Sequence, residues 1–429
     1  MLDIKFIREN PEKVKEGCRK KQAKVDIDRL LELDEKRKTM LQTIEKLKAE
    51  QNIISTESAV TEEEDKKSKL IIAGQENKEK IKRLEPELKN IEKEFQELLA
   101  RIPNLPQDDV PEGKDEKDNV VLRKWGKKPK FTFKPKDYLE LAENLDIIDV
   151  KRAAKVSGTR FGYLKNEAVL LEWALINLAF DTLIDEGFIP IVPPVMIKPE
   201  MARGMGYLEQ LGEEAYYWEK DKLYLVGTAE QSIGTMHSEE LFSQAELPKR
   251  YVGFSTCFRR EAGSYGKDTR GIFRVHQFDK VEMFSFCQPK ESKKEHQFFL
   301  DLEEKLIQKL KIPYQVVQVC TGDLSFPSAV TYDIESWFPS ENRYRETHST
   351  SNCSDFQTRR LNIRYKTERG QLNFVHTLNG TAFAIGRTLI AIIENYQTKD
   401  GKIEVPNVLQ KYLPFKEIPW RKRKFQLKS

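Results

Sequence analysis

The first hundred residues carry a seven-residue repeat of apolar positions in strongly charged surroundings. Two runs show it, Leu30–Gln51 and Ile81–Ile102, and this spacing is typical of long helices that pack along a shared apolar seam. The repeat loses its apolar members around residues 56–67, where the acidic run TEEED falls, so we predict that the chain reverses there. The expected result is an antiparallel coiled-coil hairpin over about residues 27–102. Pro86 should kink or break its second helix, because proline lacks a backbone donor.

The remainder of the chain follows a different pattern. Residues 103–130 are rich in proline and glycine, which predicts an irregular linker. Beyond it, a helical pattern at 166–186 precedes an extended proline-rich stretch, and shorter alternating segments follow. We therefore predict an α+β protein with a helical domain at 1–102, a linker at 103–130 and a larger domain at 131–429. Taken alone, the helical hairpin fits a dimerisation rod as well as an interaction arm.

Composition excludes several functional classes. The 73 Lys plus Arg against 69 Asp plus Glu leave a formal net charge of only +4, so a polyanionic partner would have to bind local basic patches. No apolar run is long enough for a membrane span, and the N-terminus lacks the apolar core of a signal peptide. The cysteines are scattered without a C-x-x-C pair, and the histidines lack ligand spacing. We expect no disulfide framework, no zinc and a cytoplasmic location.

The segment Cys257–Phe286 carries most of the candidate chemistry. It reads as two strands, Tyr251–Glu261 and Arg274–Phe286. The polar turn between them is built on Gly263, Gly266 and Gly271. Arginine can grip a phosphate, a phenyl ring can stack on a base, and a carboxylate can accept from an amino group. From this segment alone, a nucleotide-binding face and an exposed hairpin with cross-strand ion pairs are equally good interpretations.

A second charged position lies in an apolar helix. The turn signal Asn379-Gly380 is followed by apolar residues at helical spacing up to Tyr396, and Arg387 interrupts that pattern. A buried arginine needs an anionic partner. A triphosphate would supply one, and so would a structural salt bridge.

These segments together resemble the class II aminoacyl-tRNA synthetases. FRREAGSYGKDTRGIFRVHQF, residues 258–278, is similar to motif 2 in its seryl-tRNA synthetase form, and LNGTAFAIGRTLIAIIENY, residues 378–396, resembles motif 3. The helix at 166–186 and the strand FIPIVPPVMIKP after it resemble motif 1, with the motif proline at Pro193. The order of the three motifs gives the resemblance its weight.

Further segments extend the resemblance to essentially the whole chain. Thr228-Ala229-Glu230 resembles the TAE serine-binding loop of seryl-tRNA synthetases. RETHSTSNCSDFQTRRLNIRY, residues 345–365, resembles their segment that holds ATP and metal, and residues 135–164 resemble the start of their catalytic domain. The resemblance implies a catalytic domain built on an antiparallel β-sheet flanked by helices.

The function that the resemblance implies is that of a seryl-tRNA synthetase. ATP and L-serine would form seryl-adenylate and pyrophosphate with Mg²⁺, and serine would pass to the 3′ end of tRNA(Ser), with tRNA(Sec) as a further candidate. The family is homodimeric, and its N-terminal arm grips the shape and phosphates of the long variable arm of tRNA. The alternative is a non-catalytic synthetase paralogue that binds tRNA or a protein partner. A carrier-protein ligase would lack the arm.

The resemblance also implies residue roles. The implied ATP-binding residues are Arg259, Arg260, Glu261, Arg274, Phe278, Glu346, Thr347, His348, Ser349 and Arg387. The implied serine-binding residues are Thr228, Ala229, Glu230, Arg259, Glu282, Asn379 and Thr381. Arg259 at the α-phosphate and Arg387 at the γ-phosphate are the implied catalytic residues, and Glu346 and Ser349 the implied Mg²⁺ ligands.

A few positions depart from the family pattern. Thr381 stands where serine is usual and Ala382 where glycine is usual, so the serine pocket could be tighter. His348 replaces a small residue in the E-x-S-S pattern, and Tyr138 replaces a histidine in P-K-D-H-x-E-L. We expect His348 to matter most, because a bulky titratable ring there would affect metal or phosphate binding.

Overall fold

The computed structural model describes residues 1–208, 214–262, 268 and 270–420. The chain divides into two compact units, Leu2–Pro103 and Asn104–Ser429, with Met1 grouped with the second. The limits of the two functional domains and of the linker stay a prediction. The helices of the first unit are α1 (Ile4–Glu9), α2 (Pro11–Lys20), α3 (Ile27–Val60) and α4 (Glu64–Ala100).

Helices α3 and α4 form the predicted antiparallel hairpin. Salt bridges join Arg29 to Glu94 at 2.9 Å and Lys48 to Glu85 at 2.7 Å, so the start of α3 lies beside the end of α4. The seam is apolar because the heptad positions face inward. Its buried side chains include Leu30, Leu33, Ile44, Leu88, Phe95 and Leu99.

The ends of the hairpin follow from local sequence. Asp26 caps α3 by accepting from the backbone N of Arg29 at 2.9 Å, which satisfies a donor that the first turn leaves open. The chain reverses at residues 61–63, within the predicted stretch. Helix α4 runs through Pro86 without interruption, so the predicted break is wrong. The predicted kink stays a prediction. The packed seam on either side of Pro86 holds the helix together across the missing backbone bond.

The second unit mixes helices with short and long strands. Its helices are α5 (Tyr138–Leu145), α6 (Val150–Ser157), α7 (Glu167–Asp185), α8 (Pro199–Gly204), α9 (Glu230–Ile233), α10 (Ser292–Lys309), α11 (Phe356–Leu361) and α12 (Ile385–Asn395). Its strands are β1 (Val120–Trp125), β2 (Ile148–Asp149), β3 (Tyr163–Leu164), β4 (Ile189–Ile191), β5 (Met196–Ile197), β6 (Tyr217–Trp218), β7 (Leu223–Leu225), β8 (Leu241–Ser243), β9 (Lys249–Phe258), β10 (Gln277–Cys287), β11 (Tyr314–Gln318), β12 (Val330–Phe338), β13 (Arg343–Ser354), β14 (Arg364–Lys366), β15 (Leu372–Phe374), β16 (His376–Ala384), β17 (Ile403–Glu404) and β18 (Glu417–Ile418).

An eight-stranded sheet organises the second unit. Its order is β1-β11-β12-β13-β16-β10-β9-β4, and its neighbours are antiparallel except for the parallel pair β4 and β9. Side chains of α7, α10 and α12, such as Leu175, Phe299 and Leu389, pack with Val281 and Phe383 of the sheet in the main core. The predicted α+β fold, an antiparallel sheet flanked by helices after a helical hairpin, is confirmed.

Alternation along β10 separates the core from the site. Val281 and Met283 are buried in the main core, while Lys280 and Glu282 point the other way, because successive side chains of a strand face opposite sides. Lys280 and Glu282 therefore lie on the sheet face that the core helices leave open.

The linker prediction needs a correction at Val120–Trp125. This stretch forms β1, which pairs antiparallel with β11 at the edge of the main sheet. Its Val, Leu and Trp residues favour a strand, and all six of its residues are exposed, as suits an edge position. The surrounding glycine and proline concealed that signal.

The predicted strand pair of Cys257–Phe286 is present in shorter form. Strands β9 and β10 pair antiparallel, with Phe278 opposite Cys257, while Arg274 precedes β10 and Glu261 follows β9. Of the predicted turn glycines, Gly263 and Gly266 lie outside the described residues. Gly271 has φ +76°, and an added Cβ would lie 1.7 Å from the hydroxyl oxygen of Tyr138.

Tyr138, the residue that replaces the usual histidine, therefore packs on the returning end of this loop. Its hydroxyl oxygen accepts from the backbone N of Ile272 at 2.8 Å. Burial raises the pKa of Tyr138 to about 12, so the phenol keeps its proton. Tyr138 thus makes a polar contact to the loop.

Candidate active site

A cavity of about 560 Å³ opens on the exposed face of the main sheet. Its walls include the loop before α9, strands β9 and β10 with described residues of the loop between them, strands β13 and β16, and the start of α12. The predicted site residues that line it are Thr228, Glu230, Arg259, Glu261, Arg274, Phe278, Glu346, Thr347, Ser349, Asn379, Thr381 and Arg387. Segments far apart in sequence thus meet in one place.

One end of the cavity pairs Arg387 with Glu346. Nη1 of Arg387 lies 2.9 Å from Oε1 of Glu346 and donates to its main-chain oxygen at 3.3 Å. Burial disfavours the charged form of Glu346, but the charge and hydrogen bond of Arg387 outweigh it, so the pKa of Glu346 lies below its ordinary value. The carboxylate is therefore held ionised beside a cation.

Phe273 lies beneath the two arginines of this end. The guanidinium carbon of Arg345 is 3.4 Å from the centre of its ring, and that of Arg387 is 4.9 Å away. Stacking on an aromatic face fixes a guanidinium plane without using its N–H donors. The ring therefore supports the guanidinium of Arg387 at the cavity wall.

Arg259 lies at the middle of the cavity, in contact with Phe278. Its guanidinium carbon is 5.3 Å from the centre of the Phe278 ring, and its Nε donates to the carbonyl oxygen of Gly227 at 3.2 Å. The backbone at Arg259 is fixed in turn, since its N donates to the carbonyl oxygen of His276 at 3.0 Å. These contacts set the direction of the side chain before any ligand binds.

Arg274 and Glu261 close the same wall. Nη1 of Arg274 lies 3.4 Å from Oε2 of Glu261, and its Nε lies 3.5 Å from Asp268. Asp268 also pairs with Arg345 at 2.5 Å. Glu261 has φ 53°, a left-handed conformation that is uncommon for a residue other than glycine. These ion pairs of alternating charge therefore connect the described residues of the loop between β9 and β10 to Arg345 of β13.

The other end of the cavity is built around a buried carboxylate, Glu230. The hydroxyl of Tyr207 donates to its Oε2 at 2.7 Å. Its Oε1 accepts from Nδ2 of Asn379 at 3.0 Å and from Nε2 of Gln357 at 3.1 Å. Burial raises the pKa of Glu230 above its ordinary value, although the hydrogen bonds from Tyr207 and Gln357 oppose the rise.

Glu282 lies behind this end and does not line the cavity. Its side chain is 1% exposed and forms a salt bridge with Lys280, which itself lines the cavity. Burial raises the pKa of Glu282 to about 7, and the negative charge of Glu230 adds to the rise. Glu282 is connected to the cavity by its contacts with Lys280 and Thr228, which both line it.

Three further predicted residues lie away from the cavity. Arg260 is exposed and stacks on Tyr216, with 5.4 Å between its guanidinium carbon and the ring centre. Ala229 is fully buried at the start of α9. His348 is also fully buried, with its ring 5.8 Å from that of Phe383.

A bulge explains the position of His348. Ile334 pairs with His348 and Glu335 with Glu346, so Thr347 is the extra residue on β13. An extra residue reverses the alternation of side chains beyond it. Glu346 and Thr347 both line the cavity, whereas His348 faces the core. The expectation that the His348 ring affects metal or phosphate binding therefore needs correction, because the ring does not reach the cavity. Its Nδ1 lies 2.9 Å from Oγ1 of Thr347, and burial lowers the pKa of His348 to about 3.

Several lining or supporting residues were not predicted. Phe273 and Tyr207 line the cavity, and Gln357 reaches Glu230 from behind it. Lys280 also lines the cavity. Alternation along β10 could have indicated Lys280, but local spacing carries no signal for the contacts of Tyr207 and Gln357.

Oxygen atoms near Glu346 suit a hard cation. Ser349 lines the cavity on the same strand, and Asp333 pairs across from it in β12. Oδ1 of Asp333 is buried without a hydrogen-bond partner. Carboxylate and hydroxyl oxygens are the ligands that Mg²⁺ prefers. The described residues hold no cluster of three or more His, Cys, Asp or Glu side chains that could bind a metal by themselves.

Comparison with known proteins places this site in a family. Residues 216–396 match the model of the tRNA synthetase class II core domain (G, H, P, S and T), and residues 1–106 match that of the seryl-tRNA synthetase N-terminal domain. The serine–tRNA ligase of Dictyoglomus turgidum is 47% identical over 97% of this chain and 99% of the relative. The chain belongs to the seryl-tRNA synthetase family.

Solved structures agree with this membership. The seryl-tRNA synthetase of Pyrococcus horikoshii complexed with ATP superimposes with a TM-score of 0.90 at 42% identity, covering 98% of this chain and 100% of that one. The cytoplasmic serine–tRNA ligase of Naegleria fowleri in complex with AMP gives 0.86 at 36% identity, covering 98% and 99%. In the part of this synthetase that the structure describes, no helix is both long and apolar enough to cross a membrane.

Proposed function

We propose that this synthetase activates L-serine with ATP and transfers it to tRNA(Ser). One observation carries the proposal: a single cavity joins an arginine-rich end, suited to a polyphosphate, to a small buried end whose carboxylate suits an ammonium group. Family membership favours the same activity over a non-catalytic paralogue, and the cavity retains Arg259, Glu346 and Arg387.

ATP would lie between the two arginines. Arg259 would bind the α-phosphate, and Arg387 would bind the γ-phosphate with its guanidinium stacked on Phe273. The adenine would stack on Phe278 and donate from its amino group to Glu261, with Arg274 supporting the phosphates. Mg²⁺ held by Glu346 and Ser349 would neutralise phosphate charge when bound. His348 and Arg260 take no direct part in this arrangement.

Serine would occupy the buried end. Glu230 and Thr228 would bind its ammonium and hydroxyl groups, with Asn379 and Thr381 beside them. The serine carboxylate then attacks the α-phosphorus of ATP, and pyrophosphate leaves. No protein nucleophile is needed, because the residues act by positioning the reactants and by stabilising charge on the phosphate. The terminal ribose hydroxyl of the tRNA afterwards attacks the carbonyl of the adenylate.

The tRNA would bind the helical hairpin. Both helices carry exposed lysines that could contact phosphates; they include Lys46, Lys48, Lys78, Lys80 and Lys82. Such contacts recognise the shape of an RNA helix rather than base edges. We keep tRNA(Sec) as a second candidate substrate and place the enzyme in the cytoplasm, where its five buried cysteines stay reduced as thiols.

A homodimer would form through α7 and β4. This part of the second unit exposes apolar side chains, including Trp173 at 54% and Val192 at 80% exposure, with Leu170, Ile184 and Ile189. Exposed apolar patches of this kind mark protein interfaces. A monomeric mass in solution would contradict the dimer.

Amino-acid-dependent exchange of pyrophosphate into ATP tests the activity. Purified protein with Mg²⁺ should exchange with serine, and much less with threonine, alanine or glycine. Charging of tRNA(Ser) and tRNA(Sec) transcripts then tests the second step. Absence of exchange with every amino acid, while tRNA still binds, would favour the non-catalytic paralogue.

A further inference from the structure

Gln357 lies at the start of α11, fully buried, and its amide is held from both sides. Its Nε2 donates to Oε1 of Glu230 at 3.1 Å and to the carbonyl oxygen of Met205 at 3.4 Å. Its Oε1 accepts from the hydroxyl of Thr377 at 2.6 Å. The orientation of the amide follows from these partners, because the opposite one would set its oxygen against two acceptors.

Strand β16 supports Glu230 twice. Asn379 donates to Glu230 directly, while Thr377, two residues earlier on the same strand face, holds Gln357 in place. Thr377 is fully buried and does not line the cavity. The main sheet and α11 are thus linked to the carboxylate by a chain of hydrogen bonds.

Counting acceptor positions shows what this arrangement leaves open. An ionised carboxylate offers about four lone-pair positions, two on each oxygen. Oε1 of Glu230 is filled by Gln357 and Asn379, and Oε2 accepts from Tyr207. One position on Oε2 remains, on a residue that lines the cavity. The hydrogen bonds from Tyr207 and Gln357 also oppose the rise in pKa that burial causes in this carboxylate.

We propose that Gln357, held by Thr377, is a positioning residue for serine: it fixes the Glu230 carboxylate so that one acceptor position faces the substrate ammonium. The inference rests on the proposed function. It assigns serine affinity to a residue outside the cavity lining and gives Gln357 no part in binding ATP.

Steady-state exchange kinetics on full-length variants test this role. Gln357→Leu removes the amide at similar size, and we expect the KM for serine to rise about tenfold or more, as for a lost hydrogen bond to a charged group. The KM for ATP should stay within about twofold of the wild type. Thr377→Val should shift the serine KM in the same direction by a smaller factor, since the amide is loosened rather than removed.

Gln397→Leu is the matched control. Gln397 is a buried glutamine of the same unit, and its Nε2 donates to the carbonyl oxygens of Lys136 and Glu394 at 3.0 Å. A merely structural role for Gln357 predicts that both glutamine variants lower the melting temperature and leave the two KM values unchanged. That result, or equal shifts of both KM values in Gln357→Leu, would overturn the proposal. If Gln357→Leu does not fold, Thr377→Val decides between the same two results.

The wild-type measurement separates this inference from the proposed function. A wild type without serine-dependent exchange would overturn both. An active wild type whose Gln357→Leu and Thr377→Val variants show no selective loss of serine affinity would overturn only the role of Gln357.

Discussion

Arg387 holds Glu346 at two points: its Nη1 lies 2.9 Å from the carboxylate and 3.3 Å from the main-chain oxygen of the same residue. In the proposed complex these two residues take different partners, Glu346 the metal and Arg387 a phosphate. A metal–nucleotide complex therefore offers a cation to Glu346 and an anionic phosphate to Arg387, and the two together can replace the existing ion pair. The pair keeps the two charges compensated until that ligand arrives.

Arg387→Ala should reduce serine-dependent exchange by about a hundredfold or more, because a preorganised cation at the phosphates is lost. The loss should fall on kcat/KM for ATP, and the KM for serine should change little. Arg369→Ala, at an exposed arginine of the same unit, is the control and should keep wild-type kinetics. Full activity of Arg387→Ala would exclude the proposed γ-phosphate role.

Substitutions of the neighbouring arginines Arg259 and Arg260, which follow β9, should have different effects on activity. Arg259 lines the cavity and stacks on Phe278, whereas Arg260 is exposed and stacks on Tyr216. Arg259→Lys should lower exchange by about a hundredfold, since an ammonium cannot reproduce the planar two-pronged contact. Arg260→Lys should stay within about threefold of the wild type. Equal losses in the two variants, measured as kcat/KM for ATP, would contradict the placement.

Much of the fold follows from patterns in the sequence. The heptads of the first hundred residues contain enough information for the hairpin, because each apolar position needs only a partner on a neighbouring helix. The alternation around Lys280 and Glu282 likewise separates a core face from a site face. Strand β1 escaped prediction because its edge position removes the alternation that marks a half-buried strand.

Parts of the site depend on contacts that no local pattern encodes. Gln357 and Glu230 are 127 residues apart, and Asn379 and Glu230 are 149 apart, so their hydrogen bonds exist only once the sheet has formed. His348 shows a second limit. Simple alternation would put it on the same side as Glu346, and one bulged residue moves it into the core. A motif match identifies positions but not the faces they occupy.

His348→Ser should leave the ATP site intact and weaken the fold. We expect the KM for ATP to change by less than about twofold, because the ring does not line the cavity. The free energy of unfolding should fall by about 2 kcal/mol at neutral pH, since a buried ring leaves a void. Ser349→Ala, at the adjacent cavity-lining residue, should instead raise the KM for ATP.

The same variant gives a pH test. The folded pKa of His348 is depressed to about 3, so its burial contributes stability that is present above the ordinary histidine pKa of about 6.5 and is lost as the pH falls toward 3. The melting temperature of the wild type should therefore fall relative to that of His348→Ser from pH 7 to pH 4, and the order of the two should reverse, because the loss exceeds the advantage of about 2 kcal/mol at neutral pH. A wild-type melting temperature that rises relative to that of the variant on acidification would contradict a buried neutral histidine.

Thr381→Ser should relax discrimination against threonine. Thr381 is buried in the cavity wall, and removing its methyl group creates room for the extra methyl group of threonine. We expect the ratio of threonine to serine kcat/KM to rise about tenfold, as one methyl group in a pocket usually allows. Thr388→Ser, at a buried threonine of α12 outside the lining, should leave the ratio unchanged. An unaltered ratio in Thr381→Ser would show that another residue excludes threonine.

Glu282 should impose a pH dependence on stability. Its folded pKa of about 7 lies above the ordinary carboxyl value, so the folded state binds the proton more tightly than the unfolded state. This contribution to the free energy of unfolding is complete below about pH 4.5. It is lost as the pH rises through 7, by up to about 3 kcal/mol.

Glu282→Gln tests this pH dependence. The variant cannot lose a proton, and its melting temperature should therefore rise relative to that of the wild type between pH 5 and pH 8. The slope of the difference against pH is the quantity to measure, because a constant effect of the substitution itself does not change it. The exposed substitution Glu219→Gln should give no slope, and a flat difference for Glu282→Gln would mean that Lys280 keeps Glu282 ionised throughout.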